Sequence, residues 1–378
     1  TKGTMTTNIT ISKTELLNRL QIVSKIIPSK CTTPIMENVL MDIQDGTINL
    51  SATSHEGRIN TTITGILTDE NISICIEPKL IIEALKTLPE QPITISISES
   101  LSITIQYQGG KFEMMGISAE EFPKERDFAE AKELVLSSKL MLNGIEKTIF
   151  CSATDELRPI MTSVYFDIVP GQINFVSSDG HKLALLEIPM ESMTDTINFA
   201  LPFKMAQIIR GTFKPSEESV KIYLSRNSAR FEYGAESIVV TLVEGRYPNY
   251  RSVIPTNNDK LLSIGASDLK GALKRVSVFS NQSTSLVKLD LKDNNLKLFA
   301  QDIDYSTAAE ELIACEYLMP PIVIGFKGHF LTELISAIPT TEMQMSFSDP
   351  SRATLITPID TESKDKLTYL LMPMMLAD

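Results

Sequence analysis

A short turn near the middle of the chain carries the side-chain types of a serine hydrolase. Ser178, Asp179 and His181 are close neighbours in sequence, and a hydroxyl, a carboxylate and an imidazole are the groups that acyl transfer uses. In such triads the side chains converge from distant segments, and the chain has no GxSxG turn. We therefore disfavour a hydrolase. Replacing His181 by Ala would abolish turnover in an enzyme but would only weaken binding in a binding protein.

The other residues that could hold a metal or a cofactor are scattered. The four cysteines form no CxxC pair and the three histidines form no HExxH motif, so neither a zinc site nor a disulfide framework is predicted. The chain also lacks the GxxxxGK[ST] and GxGxxG phosphate loops. We expect no metal, no cofactor and no catalysis, with the cysteines reduced and mostly buried. These residues are Cys31, Cys75, Cys151, Cys315, His55, His181 and His329.

The chain repeats itself three times. Similar helical segments contain Pro78, Pro202 and Phe326, and each is 124 residues from the next. A turn followed by an alternating strand also recurs, with Gly46, Gly171 and Asn294 at the turn and spacings of 125 and 123 residues. A period of this length indicates repeated domains.

Each repeat has the same predicted elements. An amphipathic helix opens it after a Ser or Asp cap, as in the first repeat with Leu16, Leu20 and Val23 on one face. Period-two strands and a second helix follow. We predict an α+β fold of three antiparallel-sheet domains with two helices each, over residues 5–128, 129–256 and 257–378.

The ends and the hydropathy of the chain give further expectations. No apolar run approaches the roughly 18 residues of a membrane span, and no charged-then-apolar leader opens the sequence. We therefore expect a cytoplasmic protein without membrane contact. Residues 1–4, which precede Met5, are interpreted as an artificial leader.

The charges are unevenly distributed. The formal net charge of −12 argues against nucleic acid, because phosphate binding depends on Lys and Arg. The six predicted helices, however, carry thirteen basic and five acidic residues, against 22 and 42 in the rest of the chain. Lys and Arg are good helix formers on solvated faces, but Glu is equally good and is scarce here. The helices therefore favour an anionic partner that is contacted through phosphates.

Size suggests how such a partner could be held. A domain of about 120 residues has a diameter of roughly 35 Å. Three such domains in a ring leave a hole of only about 5 Å, whereas six leave about 35 Å, enough for a duplex roughly 20 Å wide. Two three-domain chains that pair head to tail would close such a six-domain ring.

Specific motifs resemble the bacterial sliding clamp family, the beta subunit of DNA polymerase III, over nearly the whole chain. They are IMENVLM (35–41), EFP (121–123), SSDGHKLALLEIP (177–189), VEGRYPNYRSVIP (243–255) and YLLMPMML (369–376). The resemblance implies a homodimeric ring around duplex DNA that acts as a non-catalytic processivity factor. Its implied partners are the polymerase III alpha subunit, a clamp loader, and other polymerases and repair proteins with clamp-binding peptides.

The resemblance also implies an apolar groove for partner peptides. A Met-rich tail suits several partners, since its side chains are deformable, although without the family an ordinary buried last strand would be favoured there. Ser252 and Met375 stand where many family members have a basic residue, and Pro159 and Ile160 replace frequent aromatics. The implied groove residues are Arg158, Met161, Gly180, His181, Lys182, Leu183, Pro248, Val253, Leu370, Leu371, Met372, Pro373, Met374 and Leu376.

Two further sets of residues complete the expectations. The ring interface would pair Phe112 and Met114 of the first domain with Val278 and Phe279 of the third. The DNA-facing residues matched to the family are Lys30, Lys86, Lys204 and Arg246, and those chosen by charge are Lys147, Arg210 and Lys274. The alternative is an acidic protein-binding scaffold that does not encircle DNA.

Overall fold

The chain forms two compact units. The computed structural model describes residues 6–376 except 29–30, 67, 69–70, 129, 156 and 360–361. The first unit comprises residues 1–142 and 207–242, and the second comprises residues 143–206 and 243–378. Each unit contains one large and one small sheet, in which neighbouring strands are antiparallel.

The predicted order of elements recurs three times: a strand, a helix, four strands, a second helix and three strands. The first repeat contains β1 (Thr6–Ser12), α1 (Lys13–Ser24), β2 (Val39–Gln44), β3 (Thr47–Thr53), β4 (Gly57–Ile63), β5 (Ile72–Ile76), α2 (Pro78–Thr87), β6 (Pro92–Ser98), β7 (Ser102–Tyr107), β8 (Gly110–Met115) and the short β9 (Ile117–Ser118). The α+β class with antiparallel sheets is confirmed.

The other two repeats follow the same plan. The second contains β10 (Lys132–Ser137), α3 (Ser138–Thr148), β11 (Ser163–Val169), β12 (Gln172–Ser178), β13 (Lys182–Pro189), β14 (Ile197–Pro202), α4 (Phe203–Thr212), β15 (Ser219–Leu224), β16 (Ser228–Tyr233) and β17 (Glu236–Thr241). The third contains β18 (Lys260–Gly265), α5 (Ala266–Ser277), β19 (Leu286–Lys292), β20 (Asn295–Asp302), β21 (Thr307–Ala314), β22 (Ile322–Lys327), α6 (Gly328–Ser336), β23 (Glu342–Phe347), β24 (Thr354–Pro358) and β25 (Lys366–Leu371).

The large sheets join strands that are far apart in sequence. In the first unit the order is β10-β15-β16-β17-β4-β3-β2-β5-β9, so β17 of the second repeat pairs with β4 of the first. In the second unit the order is β14-β11-β12-β13-β25-β24-β23-β18, and β13 pairs with β25. The small sheets are β1-β6-β7-β8 and β21-β20-β19-β22. Each large sheet therefore contains strands from two repeats.

The first helices begin as their sequences predict, with one exception. The Ser12 hydroxyl accepts the Glu15 N–H at the start of α1, and Leu16, Leu20 and Val23 are buried. The predicted Ser or Asp cap of α5 is wrong. Gly265 occupies its N-cap position without a side-chain hydrogen bond, and Asp268 lies within the first turn instead. There its charge still interacts favourably with the helix dipole.

The recurring turns adopt the conformation that their residues favour. Gly46, Gly171 and Asn294 have φ angles of 76°, 81° and 60°, which lie in the left-handed region that glycine and asparagine tolerate best. A Cβ atom at Gly46 would lie only 2.9 Å from the Ile66 carbonyl oxygen. The turn that links β2 and β3 therefore requires glycine.

The cysteines, the possible metal ligands and the helices bear on the expected absence of disulfides, metals and membrane spans. All four cysteines are free, with Cys75 and Cys151 buried and Cys31 and Cys315 partly buried. No group of three His, Cys, Asp or Glu side chains in the described ranges could hold a metal ion. The helices of the described part of the chain are too short or too polar to cross a membrane.

Candidate functional site

Leu183 and Leu370 form the floor of a groove on the large sheet of the second unit. Strand register places Leu183 of β13 opposite Leu370 of β25, and Leu370 opposite Leu355 of β24. Leu183 and Leu370 are buried. They pack in one apolar cluster with Val176, Leu185 and the tyrosines described below. Strand pairing thus brings together two segments that lie almost 190 residues apart in sequence.

The segment of residues 247–253 forms one wall of the groove, held by two tyrosines. The Tyr247 ring stacks on Tyr165 with centroids 4.5 Å apart. The Tyr250 hydroxyl donates a hydrogen bond of 2.5 Å to Asp167 Oδ2. Burial, together with this hydrogen bond, raises the pKa of Tyr250 above its ordinary value, which already lies well above neutral pH, so the phenol keeps the proton that it donates. The wall is therefore anchored to the sheet before any partner binds.

The groove encloses a cavity of about 350 Å³, lined by fourteen residues. This volume lies at the small end of the range of ligand pockets. Ten of the residues that the sequence predicts line it: Arg158, Met161, Gly180, His181, Lys182, Leu183, Pro248, Val253, Leu370 and Met372. Four lining residues are missing from the prediction: Ser178, Tyr247, Asn249 and Tyr250. All four lie within the motifs of residues 177–189 and 243–255, which also contain predicted groove residues. Membership of these motifs was therefore the sequence signal that could have identified them.

The other four predicted groove residues lie elsewhere. Leu371 follows Leu370 in β25, and successive residues of a strand face opposite sides of the sheet. Leu371 is therefore buried on the face away from the groove. The Met374 N–H donates to the Gly325 carbonyl oxygen at 2.8 Å. A Cβ at Gly325 would lie 2.6 Å from Leu376, so the tail packs along β22. Leu371, Pro373, Met374 and Leu376 are therefore not among the residues that line the cavity.

The rim of the cavity is apolar and accessible. Val253 and Met372, which line the cavity, are 55% and 42% exposed. The buried-strand interpretation of the C-terminal motif is correct for Tyr369, Leu370 and Leu371, whose side chains are buried. The chain emerges from the sheet only after Leu371, and from there it presents Met372 to the cavity. Such exposed apolar groups beside a preformed groove are typical of a protein-binding surface.

The Ser178–His181 turn is built from hydrogen bonds to the backbone. Ser178 Oγ donates to the Lys182 carbonyl oxygen at 2.9 Å, and Asp179 Oδ1 accepts the N–H groups of His181 and Lys182 at 2.8 Å each. The hydroxyl is therefore directed at a carbonyl rather than at an imidazole. Gly180 has a φ of 90°, and a Cβ there would lie 3.3 Å from the Arg158 guanidinium. This arrangement supports a structural turn and not a catalytic triad.

Lys182 borders the cavity, but its ammonium group is engaged inside the fold. Its side chain is 6% exposed, and Nζ pairs with Glu333 of α6. Nζ also lies 4.9 Å from the centre of the Phe330 ring and 5.8 Å from that of Phe150. A buried cation needs such compensation. Arg158 and His181 are consequently the exposed basic side chains of the cavity.

We expect Glu333→Ala to destabilise the protein by about 1–3 kcal/mol, because the Lys182 ammonium loses its charge-assisted partner. Lys182→Met should cost less than about 1.5 kcal/mol, since it removes the buried charge and keeps most of the volume. The shift in thermal unfolding temperature measures both, with Glu83→Ala on an exposed helix face as control. Equal losses for both variants would show that packing, and not charge, dominates at this position.

Two of the predicted interface residues lie on β8, at the edge of one small sheet, and the other two follow helix α5. Among the strands of the described ranges, β8 has a neighbour on one side only, as does β21. Phe112 and Met114 of β8 are partly buried, and Phe112 contacts Tyr107 at 4.7 Å between ring centroids. Val278 and Phe279 after α5 are 77% and 42% exposed. Met115 of β8 and Leu312 of β21, which are not in the predicted set, are exposed on these edge strands.

The predicted DNA-facing cations differ in their surroundings. Lys86, Lys204, Arg210, Arg246 and Lys274 are exposed, whereas Lys30 lies outside the described residues. The sequence predicts Lys147 on the same surface, but in the structure its Nζ donates to the Ala337 carbonyl oxygen, 3.2 Å away, at the end of α6. A cation there stabilises the helix terminus.

Several other helix cations also serve the fold. Lys25 Nζ donates to the Gly211 carbonyl oxygen at 2.5 Å, at the end of α4. Lys13 is buried, and Arg19 pairs with Glu236. Burial lowers the pKa of Lys25. The excess of basic residues on the helices therefore overstates the charge that is available for an anionic partner.

Comparisons with known proteins agree with the threefold repeat of the fold. Three family models match in succession: the DNA polymerase III beta subunit N-terminal domain at residues 7–126, its central domain at 135–249 and its C-terminal domain at 251–375. The Beta sliding clamp of Synechococcus elongatus is 27% identical over 372 residues, covering 96% of this chain and 97% of that protein. The Beta sliding clamp of Haemophilus influenzae is 26% identical and covers 97% and 99%.

Solved structures show the same similarity. The sliding clamp of Bartonella birtlesii bound to griselimycin has a TM-score of 0.91 and 26% identity, with 98% of this chain and 100% of that chain covered. A putative DNA polymerase III beta subunit of Eubacterium rectale has a TM-score of 0.90 and 26% identity with the same coverage. With all three domain models matched in order, the chain belongs to the DNA polymerase III beta subunit family, the bacterial sliding clamps.

Proposed function

We propose that two copies of this chain form a ring around duplex DNA and act as the non-catalytic processivity factor of the replicative polymerase. The observation that carries the proposal is the threefold repeat of one fold, each copy matched by a successive domain model of the family. The edges of β8 and β21 support the pairing of two chains, since exposed strand edges readily bind further strands. The homodimer would work in the cytoplasm, where bacterial chromosomal DNA is copied.

The groove is proposed as the attachment point for partner proteins. Its leucine floor, its fixed tyrosine wall and its exposed methionine rim suit a short apolar peptide. The polymerase III alpha subunit would be one partner that contains such a peptide. Other polymerases, repair proteins and the clamp loader would compete for the same groove. A scaffold that never encircles DNA remains the alternative, and the family matches do not favour it.

Retention on DNA tests the proposed ring. The protein is loaded on nicked circular plasmid by a clamp loader, the complex is isolated, and the DNA is then cut at one site. We expect the protein to survive high salt on intact circles and to be lost after cutting, because a topological link does not depend on counterion release. Equal retention on circular and linear DNA would contradict encirclement and favour a conventional binder. Absence of retention on both would favour the scaffold.

The exposed helix cations give a separate prediction. If Lys86, Lys204, Arg210 and Lys274 bind phosphates, replacing them by Gln should weaken binding to a short linear duplex. The slope of log K against log salt should shrink by about 0.9 for each phosphate that the variant no longer neutralises. Fluorescence anisotropy at several salt concentrations measures this slope.

The matched control replaces four exposed basic residues that lie outside the helices. An unchanged salt slope in the helix variant, or an equal change in the control, would contradict phosphate binding through the helices. The control residues are Lys221, Arg226, Lys292 and Lys364.

A further inference from the structure

The wall of the groove has a counterpart in the first unit. Residues 247–253 read Tyr-Pro-Asn-Tyr-Arg-Ser-Val, and residues 122–128, one repeat of 125 residues earlier, read Phe-Pro-Lys-Glu-Arg-Asp-Phe. An aromatic residue followed by proline opens both segments, arginine is fifth in both, and an apolar residue closes both. The two segments therefore hold equivalent positions in successive repeats.

The floor of the groove also has a counterpart, with a different chemistry. In the second unit the row across the sheet is Leu183, Leu370 and Leu355. In the first unit, the strands of the same rank in the repeat, β4, β17 and β16, place Arg58 opposite Val239, and Val239 opposite Arg230. Two of the three leucines are thus replaced by arginine.

The two arginines hold the counterpart segment against its sheet. The Arg58 guanidinium lies 5.3 Å from the centre of the Phe122 ring, and its Nη1 donates to the Pro123 carbonyl oxygen at 2.7 Å. The Arg230 guanidinium lies 5.0 Å from the centre of the Phe128 ring. Asn60, two residues after Arg58, donates to Glu125 Oε2 at 3.2 Å. The segment is therefore held at both ends and in the middle.

The segment of the first unit is more deeply buried at its end than its counterpart in the second unit, as expected if it is docked on its sheet. Phe122 and Phe128 are only 7% and 8% exposed. In the second unit Val253, the counterpart of Phe128, is 55% exposed and leaves the cavity open. Phe128 is thus buried under an arginine in the first unit, whereas its sequence counterpart Val253 is exposed at the cavity of the second. Desolvation of this kind lowers the pKa of Arg58 and strengthens its interaction with the ring.

We propose that the first large sheet carries a second peptide site, equivalent to the groove, and that its own wall segment, residues 122–128, folds into this site and occupies it permanently. The inference rests on the proposed function of the groove as a peptide site. A tethered segment has an effective concentration in the millimolar range, so it excludes weak peptides from other proteins. Each chain therefore offers one groove to its partners rather than two.

Vacating the site tests whether it is a peptide site. A fluorescent peptide of residues 121–128 is titrated against the full chain carrying Phe122→Ser, Phe128→Ser and Val253→Glu, the last of which blocks the groove. We expect saturable binding of one peptide per chain, at least about tenfold tighter than binding to the Val253→Glu chain, whose own segment is in place. Adding Arg58→Ala and Arg230→Ala should abolish it, and a peptide with Ser for both Phe residues should not bind.

The outcomes separate this inference from the proposed function. Absence of binding to the vacated chain overturns the second site. It does not bear on the proposed function of the groove in the second unit. Binding that is equal with and without the two Phe→Ser changes also overturns it. Binding of partner proteins to the groove is measured with the vacated chain that retains Val253, so a failure of the groove is recognised independently.

Proteolysis provides a second measurement that leaves the segment itself unchanged. Lys124 and Arg126 are exposed within the segment. Arg58→Ala should raise the rate of tryptic cleavage after them by about 5- to 30-fold, because a desolvated cation–π interaction contributes about 1–2 kcal/mol to the closed state. Arg226→Ala, an exposed arginine of the β15–β16 turn, is the matched control. Cleavage that is unchanged in Arg58→Ala would overturn the docking of the segment.

Discussion

Replacing Val278 and Leu312 by Asp should convert the proposed homodimer into monomers. Both side chains are well exposed, at 77% and 66%, so the monomer should still fold. Each apolar side chain of this size contributes roughly 1.5–3 kcal/mol when buried, and an unpaired carboxylate in the same place adds a further penalty. The dimer dissociation constant is expected to rise at least about 100-fold, as measured by analytical ultracentrifugation over a range of concentrations.

The charges along the two edges add to this prediction. On β8, Lys111 pairs with Glu113 at 2.6 Å. On β21, Glu311 pairs with Arg275 at 2.5 Å, and this hydrogen bond lowers the pKa of the Glu311 carboxyl. These ion pairs are satisfied within one chain and lie near solvent, where such pairs contribute little. The association should therefore depend chiefly on the apolar side chains and on strand pairing.

A control separates this effect from a general loss of solubility or fold. Leu318 is 79% exposed, and Leu318→Asp should leave the dimer intact. The double Asp variant should also fail in the plasmid retention experiment. Persistence of the dimer in that variant would show that the two chains associate through another surface.

The second prediction concerns the rim of the groove. Val253→Glu together with Met372→Glu should weaken binding of the polymerase III alpha subunit about 100-fold, since an apolar side chain of this size contributes roughly 1.5–3 kcal/mol when a peptide buries it, and a carboxylate in its place loses that contribution. Both residues are exposed at the cavity, so the change should leave folding intact. Surface plasmon resonance measures the affinity, and primer extension measures the length of DNA made per binding event.

The variant with Val253→Glu and Met372→Glu should still encircle DNA. We expect unchanged dimerisation and unchanged retention on circular plasmid, because the substitutions lie on the groove alone. Leu318→Glu serves as the matched control for an added carboxylate on an exposed apolar position. If that control weakened polymerase binding equally, the loss would reflect net charge, and the groove would not be the attachment point.

Local sequence signals account for the elements and the turns. The left-handed turns at Gly46, Gly171 and Asn294 and the cap at Ser12 depend on residues within a few positions of one another. Such features follow from backbone and side-chain preferences alone. The missed cap of α5 has a different origin: Ser267 and Asp268 are both able to cap, but the pairing of β18 with β23 up to Gly265 decided where the helix starts.

Site residues were predictable where the motif coincides with the fold. The ten groove residues that line the cavity come from four segments that the family resemblance connects. Sequence could not distinguish Leu370, which faces the groove, from Leu371, which faces the core, because the register of β25 on β13 decides which face each residue takes. Nor could it show that Met374 and Leu376 pack along β22.

By itself, the sequence determined the threefold repeat, the α+β class and the set of apolar and basic residues from which a site could be built. Only the tertiary structure decided which charges are available and which groove is open. Lys25, Lys147 and Lys182 are engaged by groups that lie between 151 and 190 residues away. Arg58 and Arg230 contact Phe122 and Phe128, which lie 64 and 102 residues away in sequence. Interactions of this kind depend on distant segments meeting in one register, which no local propensity encodes.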